Sequence, residues 1–126
     1  MHPLLTKKED EAEYQELLSS LCQDFHPANS LEYALVRELC FIEWRIKRNL
    51  CLETQILNEQ IDAECDAIRS RRGSVRGIKP LDVTILATQT LLDNAPILPL
   101  LGRDLAWLQR ARRETLNTLF SLRKRR

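Results

Sequence analysis

The sequence predicts an all-α fold, and three observations carry that expectation. Only 3 of the 126 residues are Gly and 5 are Pro, and a chain rich in Leu, Glu, Arg and Ala suits long helices while it starves a sheet of turns. Apolar residues recur at intervals of three and four through most of the chain, and capping pairs stand at two of the expected helix starts. The architecture these imply is an antiparallel helical hairpin or bundle, built on one helix of about 40 residues with three further helices, in a single domain over 1–126.

The first helix is expected over about 7–24. Thr6 and Glu9 form a capping-box pair ahead of it, in which the hydroxyl accepts from an amide three residues on and the carboxylate reaches back. Tyr14, Leu17, Leu18, Leu21 and Phe25 then make one apolar stripe, and Pro27 and Asn29 break the run. Asn29 with Glu32 repeats the capping pattern, and no Gly or Pro interrupts the chain from Leu31 to about Arg71, so the second helix is expected over about 31–71. Its stripe is Leu35, Leu39, Ile42, Ile46, Leu50, Leu57, Ile61 and Ile68, widened at the start by Val36, Cys40 and Trp44. Cys40, Cys51 and Cys65 fall on the flank of this stripe, which places them at an edge of the core.

The segment from Arg69 to Lys79 holds two glycines, two serines and five cations with no acid, which predicts an exposed loop and the turning point of the hairpin. Pro80 and Asp82 suit the first turn of a third helix over about 81–94, with Leu81, Ile85, Leu86 and Leu92 inward. Pro96 and Pro99 are expected to end it. A fourth helix over about 98–123 carries Leu101, Leu105, Leu108, Arg112, Thr115, Leu119 and Leu122, a heptad-spaced seam with two polar faults. Laid end to end, the third and fourth helices match the second in length, so they are expected to run back along it while the first packs across the side.

The net charge of +1 hides a strong polarity: residues 1–68 carry 14 acids and 6 bases, residues 69–126 carry 4 acids and 13 bases. Such a chain either folds its basic part onto its acidic part or turns it toward a polyanion. On the wheel of the fourth helix, Arg103, Arg110, Arg113 and Lys124 cluster nearly opposite the leucine seam. Trp107 lies beside that cationic face, where an indole can stack on a base or seal a protein interface. The plainer alternative is a solvated charged side, with Arg112 inside the seam paired to a glutamate of the second helix such as Glu53 or Glu64. Arg123, Lys124, Arg125 and Arg126 sit where the helix dipole is negative, which suits a terminal stabiliser as well as a polyanion contact. Trp44, followed by Arg45, Lys47 and Arg48, is expected to be a core tryptophan beside a solvated cluster.

Catalytic patterns are scarce. His2 and His26 are the only imidazoles, and there is no His-Glu-x-x-His, Gly-x-Ser-x-Gly or phosphate-binding glycine loop. Cys22 lies four residues from His26, yet nothing in the sequence supplies a third, orienting group. The four cysteines are 18, 11 and 14 residues apart, without the close pairs that structural zinc needs, so free, packed thiols are expected and no metal or other cofactor. The protein is therefore expected not to be an enzyme. The first nine residues hold no apolar signal core and no window reaches the length of a membrane span, which points to a cytoplasmic protein with no membrane contact.

Pro27, Glu32, Leu35, Val36, the Trp44-Arg45-Ile46-Lys47-Arg48 run and Glu53, followed by Leu101, Arg103, Leu108, Arg110 and Leu116, resemble a family of uncharacterised bacterial all-helical proteins. In that family a Leu-Val…Trp-Arg-Leu-x-Arg helix precedes a Leu-x-Arg-Tyr-Glu…Arg…Leu helix. The resemblance spans most of residues 9–122 and implies an all-helical fold and a bacterial origin. This chain departs from the pattern in lacking a Gly-, Pro- and Lys-rich start and in reading Arg103-Asp104-Leu105 at the Arg-Tyr-Glu step. The family has no assigned activity, so the resemblance implies no mechanism.

Two functions follow as expectations. In the first, a helical adaptor contacts the DNA or RNA backbone through Arg71, Arg72, Arg76, Lys79, Arg103, Arg110 and Arg113, which position without reading bases. In the second, the chain is a coiled-coil type protein-interaction module or homodimer whose apolar seam on the second and fourth helices is completed by a partner, with Trp107 and Arg112 at the interface.

Overall fold

A computed structural model of the chain describes residues 5–6, 9–94 and 97–125. These form four helices and no strand: α1 (Glu11–Phe25), α2 (Ser30–Arg72), α3 (Pro80–Asn94) and α4 (Ile97–Lys124). The all-α bundle expected from the sequence is the observed fold, with α2 packing against the other three. The chain divides into two compact units, one made of Met1–Lys47 with Ala106–Arg126 and the other of Arg48–Leu105.

Local chemistry fixes the helix ends. Asp10, not Thr6, caps α1, its carboxylate accepting from the Ala12 N–H at 2.8 Å. Half of the expected Thr6–Glu9 pair forms, the Thr6 N–H donating to Glu9 Oε1 at 2.7 Å, while the Glu9 N–H donates to the Thr6 carbonyl at 3.1 Å and not to its hydroxyl, which closes a turn ahead of the helix. The expected start at Lys7 falls on residues outside those described. His26 ends α1 in the left-handed conformation, φ 47°, and its N–H donates to the Cys22 carbonyl at 2.9 Å. Asn29 caps α2 as expected: its Oδ1 accepts from the Glu32 N–H at 2.9 Å, and its Nδ2 donates to Glu32 Oε2 at 3.4 Å. Pro99 lies in the first turn of α4 instead of ending α3, which its missing N–H allows because first-turn amides have no partner within the helix. Pro96 lies outside the described residues.

In the first unit, α1 packs on α2 through Tyr14 and Trp44, whose rings meet edge to face at 5.4 Å and 80°. The Trp44 indole N–H donates to Glu9, and Leu5 and Cys40 complete the buried cluster with Leu17, Leu18 and Leu21 against it. Trp44 is thus the core tryptophan the sequence suggests. Phe25 of α1 faces Phe120 of α4 at 6.5 Å. Arg112 reaches Glu43 and Arg123 reaches Glu32, so α4 runs antiparallel to α2 here. Along α4 the seam residues Leu108, Thr115 and Leu119 are all buried.

In the second unit Asn49 donates to Asp104 and Thr90 donates to Glu64, again an antiparallel return. Two inward faces differ from the sequence expectation. Leu81, Ile85, Leu86 and Leu92 of α3 are exposed, by 41–67%, and Val83 and Ala87 are buried in their place. α3 is apolar nearly all round, so its pattern did not choose a face, and the short side chains of Val83 and Ala87 let it approach α2 closely enough for Thr90 to reach Glu64. Leu50 is likewise exposed while its neighbour Asn49 is buried, because Asn49 finds its amide partner in Asp104. Cys51, expected at the edge of the core, is exposed.

Candidate functional site

The loop cations of the second unit are placed by backbone geometry. α2 runs on to Arg72, so Arg69, Arg71 and Arg72 belong to its last turn and the loop begins only at Gly73. Gly73 and Gly77 hold φ of 78° and 82°, the left-handed region where a side chain is strained. The Gly73 N–H closes α2 on the Arg69 carbonyl at 2.7 Å, and the Ile78 N–H closes a turn on the Val75 carbonyl at 3.2 Å. Ser74 Oγ accepts from the Arg76 N–H at 3.1 Å. These bonds hold the short connection that carries Arg76 and Lys79, both exposed, as are Arg71 and Arg72 at the end of α2. Arg71 and Arg72 border a groove of about 450 Å³ whose apolar floor is Ile68, Ile78, Val83 and Leu86. Arg69, by contrast, pairs with Asp66 at 3.1 Å. Arg103, on the α4 portion of this unit, is exposed too.

In the first unit Arg110 and Arg113 are exposed, as is Trp107 by 53%. Arg112 is not an outward group: its Nη1 donates to Glu43 Oε1 at 3.1 Å, with both side chains about a third exposed. The sequence expects a glutamate of α2, such as Glu53 or Glu64, as its partner; the partner is a glutamate of α2, but it is Glu43, fixed by the antiparallel register. Arg123 also turns inward, its Nε donating to Glu32 Oε1 at 3.3 Å, and Glu32 is almost fully buried at 1% exposure. Among the described residues, none of the seven candidate phosphate-contacting cations is held by a carboxylate. Arg69, Arg112, Arg123 and Lys47, which do pair with carboxylates, are not among those seven.

Sequence reasoning missed Arg45. Its guanidinium lies 5.8 Å from the Phe41 ring centre and 5.7 Å from that of Trp107, an aromatic sandwich joining α2 to α4. The i,i+4 spacing of Phe41 and Arg45 was the available signal; the Trp107 half is a tertiary contact that periodicity does not report.

The thiols offer little reactivity at the core. Burial pushes the Cys40 thiol up from its ordinary pKa, and the buried Tyr14 hydroxyl beside it is pushed up to about 12, chiefly by desolvation and then by Cys40. Both remain protonated near neutrality, so neither is a poised nucleophile. Among the described residues no three of His, Cys, Asp or Glu are grouped to hold a metal ion, and no helix is long and apolar enough to cross a membrane. No protein-family model, curated protein or solved structure matches this chain.

Proposed function

We propose that the protein is a non-enzymatic helical adaptor that pairs with a second copy of itself through the outer face of α3. The observation that carries this is an imbalance in the second unit. Among the described residues that unit buries three hydrophobic residues, Ile68, Val83 and Ala87, and leaves eight large ones exposed; the first unit buries ten. Contiguous exposed apolar surface on a water-soluble chain marks an interaction site. Leu81, Ile85, Thr88 and Leu92 follow one another at 4, 3 and 4 residues, the spacing of a helix-pairing seam. Set antiparallel against a second α3, Leu81 faces Leu92 of the other copy and Lys79 approaches its Asp93. A parallel pairing would oppose like charges at both ends. Light scattering tests this. The wild type is expected at twice 14.7 kDa, and Ile85→Glu, which places a carboxylate in the middle of the stripe at a position already 54% exposed, is expected to be a monomer of unchanged helical circular dichroism. A wild type that stays monomeric at every concentration rules the pairing out.

A second reading, polyanion contact, is favoured by a separate observation: Arg71, Arg72, Arg76, Lys79, Arg103, Arg110 and Arg113 are exposed and, among the described residues, free of carboxylate partners. Arginines released from internal pairing act together on phosphates through counterion release. Retention of DNA and RNA is expected at low salt and to fall steeply as salt rises. Changing Arg71, Arg72 and Arg76 to glutamine should lower the slope of log affinity against log salt by about 2 to 3. Absence of salt-sensitive retention removes this reading and leaves the pairing proposal standing.

A further inference from the structure

We infer that Trp107 is a stacking platform for an unpaired base, so that the nucleic acid bound by the first unit is single-stranded. The inference rests on the polyanion reading above and adds the class of nucleic acid to it. Its ground is the arrangement around the indole. Of the two tryptophans, Trp44 is buried in the core and Trp107 is half exposed. Arg45, itself lodged against Phe41, lies 5.7 Å from the centre of the Trp107 ring and supports it from the protein side by a cation–π contact. The indole is therefore held in place while much of its surface faces solvent. Beside it is a notch of about 150 Å³ lined by Trp107, Arg110, Ala111 and Glu114.

Arg110 and Arg113 follow at steps of three, each about 4.5 Å further along α4 and about 60° further round it. Trp107, Arg110 and Arg113 thus form a short oblique path in which one aromatic group precedes two cations. That order suits a strand whose base lies on the ring and whose following phosphates meet guanidinium groups, and stacking of this kind tolerates any base because every base has a π-face. Glu114 repels phosphate from the far side of the notch and so confines the backbone to the arginine side. A duplex presents no free base face, since its bases are stacked on each other, and would meet only the two arginines.

The test uses the full chain, a short single-stranded oligonucleotide and the duplex of the same sequence at low salt. Tryptophan emission and the anisotropy of labelled oligonucleotide are followed together. The single strand is expected to quench emission and the duplex to leave it unchanged. Trp107→Leu should abolish the quenching and weaken single-strand binding about tenfold, with duplex retention unaltered, whereas Trp107→Phe should keep most of the affinity. Circular dichroism verifies that both variants remain helical, as expected for an exposed position. Salt-sensitive binding that Trp107→Leu leaves intact overturns the stacking role and spares the polyanion reading, and equal quenching by the duplex does the same. Binding of neither nucleic acid overturns both.

Discussion

Leu108→Ala is expected to lower the stability of the fold by about 3 to 4 kcal/mol, the largest effect of any conservative truncation in α4. Leu108 is fully buried, at 0% exposure, and lies on a helix whose register is fixed four residues later by the Arg112–Glu43 pair. With α4 tied at that point and again by Arg123 to Glu32, the surrounding side chains have little freedom to collapse into the space left behind. The cavity term therefore adds to the lost transfer energy. For a domain whose total stability is about 5 to 15 kcal/mol, this is a large share. Thermal or urea unfolding monitored by circular dichroism checks it. A loss under about 1 kcal/mol would mean that the α2–α4 packing is far looser than the burial indicates.

Arg123→Met is expected to cost about 2 to 4 kcal/mol, because it strands the buried carboxylate of Glu32 without one of its ionic partners. Glu32 does two things. It completes the reciprocal cap with Asn29 at the start of α2, and it receives Arg123 from the last turns of α4. Removing the cation leaves the carboxylate in a site from which water is excluded. The pair is imperfect even in the wild type, since Arg123 Nη2 is buried and, among the described residues, has no hydrogen-bond partner, and such an atom forfeits its hydration. The double variant Arg123→Met with Glu32→Met should therefore recover part of the loss, short of the roughly 1 kcal/mol contributed by the cap. Additive losses in the double variant would show that the two groups do not interact across the helices.

The existence of the helices was legible in the sequence for physical reasons that act locally. An unbroken run without Gly or Pro gives α2, and Asn29 with Glu32 marks its start. The heptad-spaced row that holds Leu108, Thr115 and Leu119 correctly identifies the inner face of α4, because the cations Arg103, Arg110 and Arg113 fall on the opposite side. The facing of α3 was not legible. Leu81, Val83, Ile85, Leu86, Ala87, Leu91 and Leu92 surround that helix with apolar groups, so periodicity alone could not say which side α2 would take. Size and hydrogen bonding to Glu64 chose the smaller residues, and the larger ones were left outside. The same limit applies to the cations. Seven were expected outward and are exposed, and the heptad spacing already set Arg112 inside the seam, but nothing local distinguished Arg123, which turns inward because Glu32 waits for it on an antiparallel helix distant in sequence. Arg45 illustrates the converse: half of its aromatic sandwich was written in α2, and the half that bears on Trp107 exists only once α4 has docked.

The threonines carry a consequence of their own. Thr54, Thr84, Thr88, Thr115 and Thr118 each donate the hydroxyl proton to the carbonyl four residues earlier, so that proton is consumed inside the helix that bears it. Thr115 can consequently occupy a leucine row without demanding a polar neighbour, and Thr88, bonded to the Thr84 carbonyl, brings chiefly its methyl to the gap between Ile85 and Leu92. To a second helix laid on α3, that strip is hydrocarbon from one end to the other, greasier than its letters suggest.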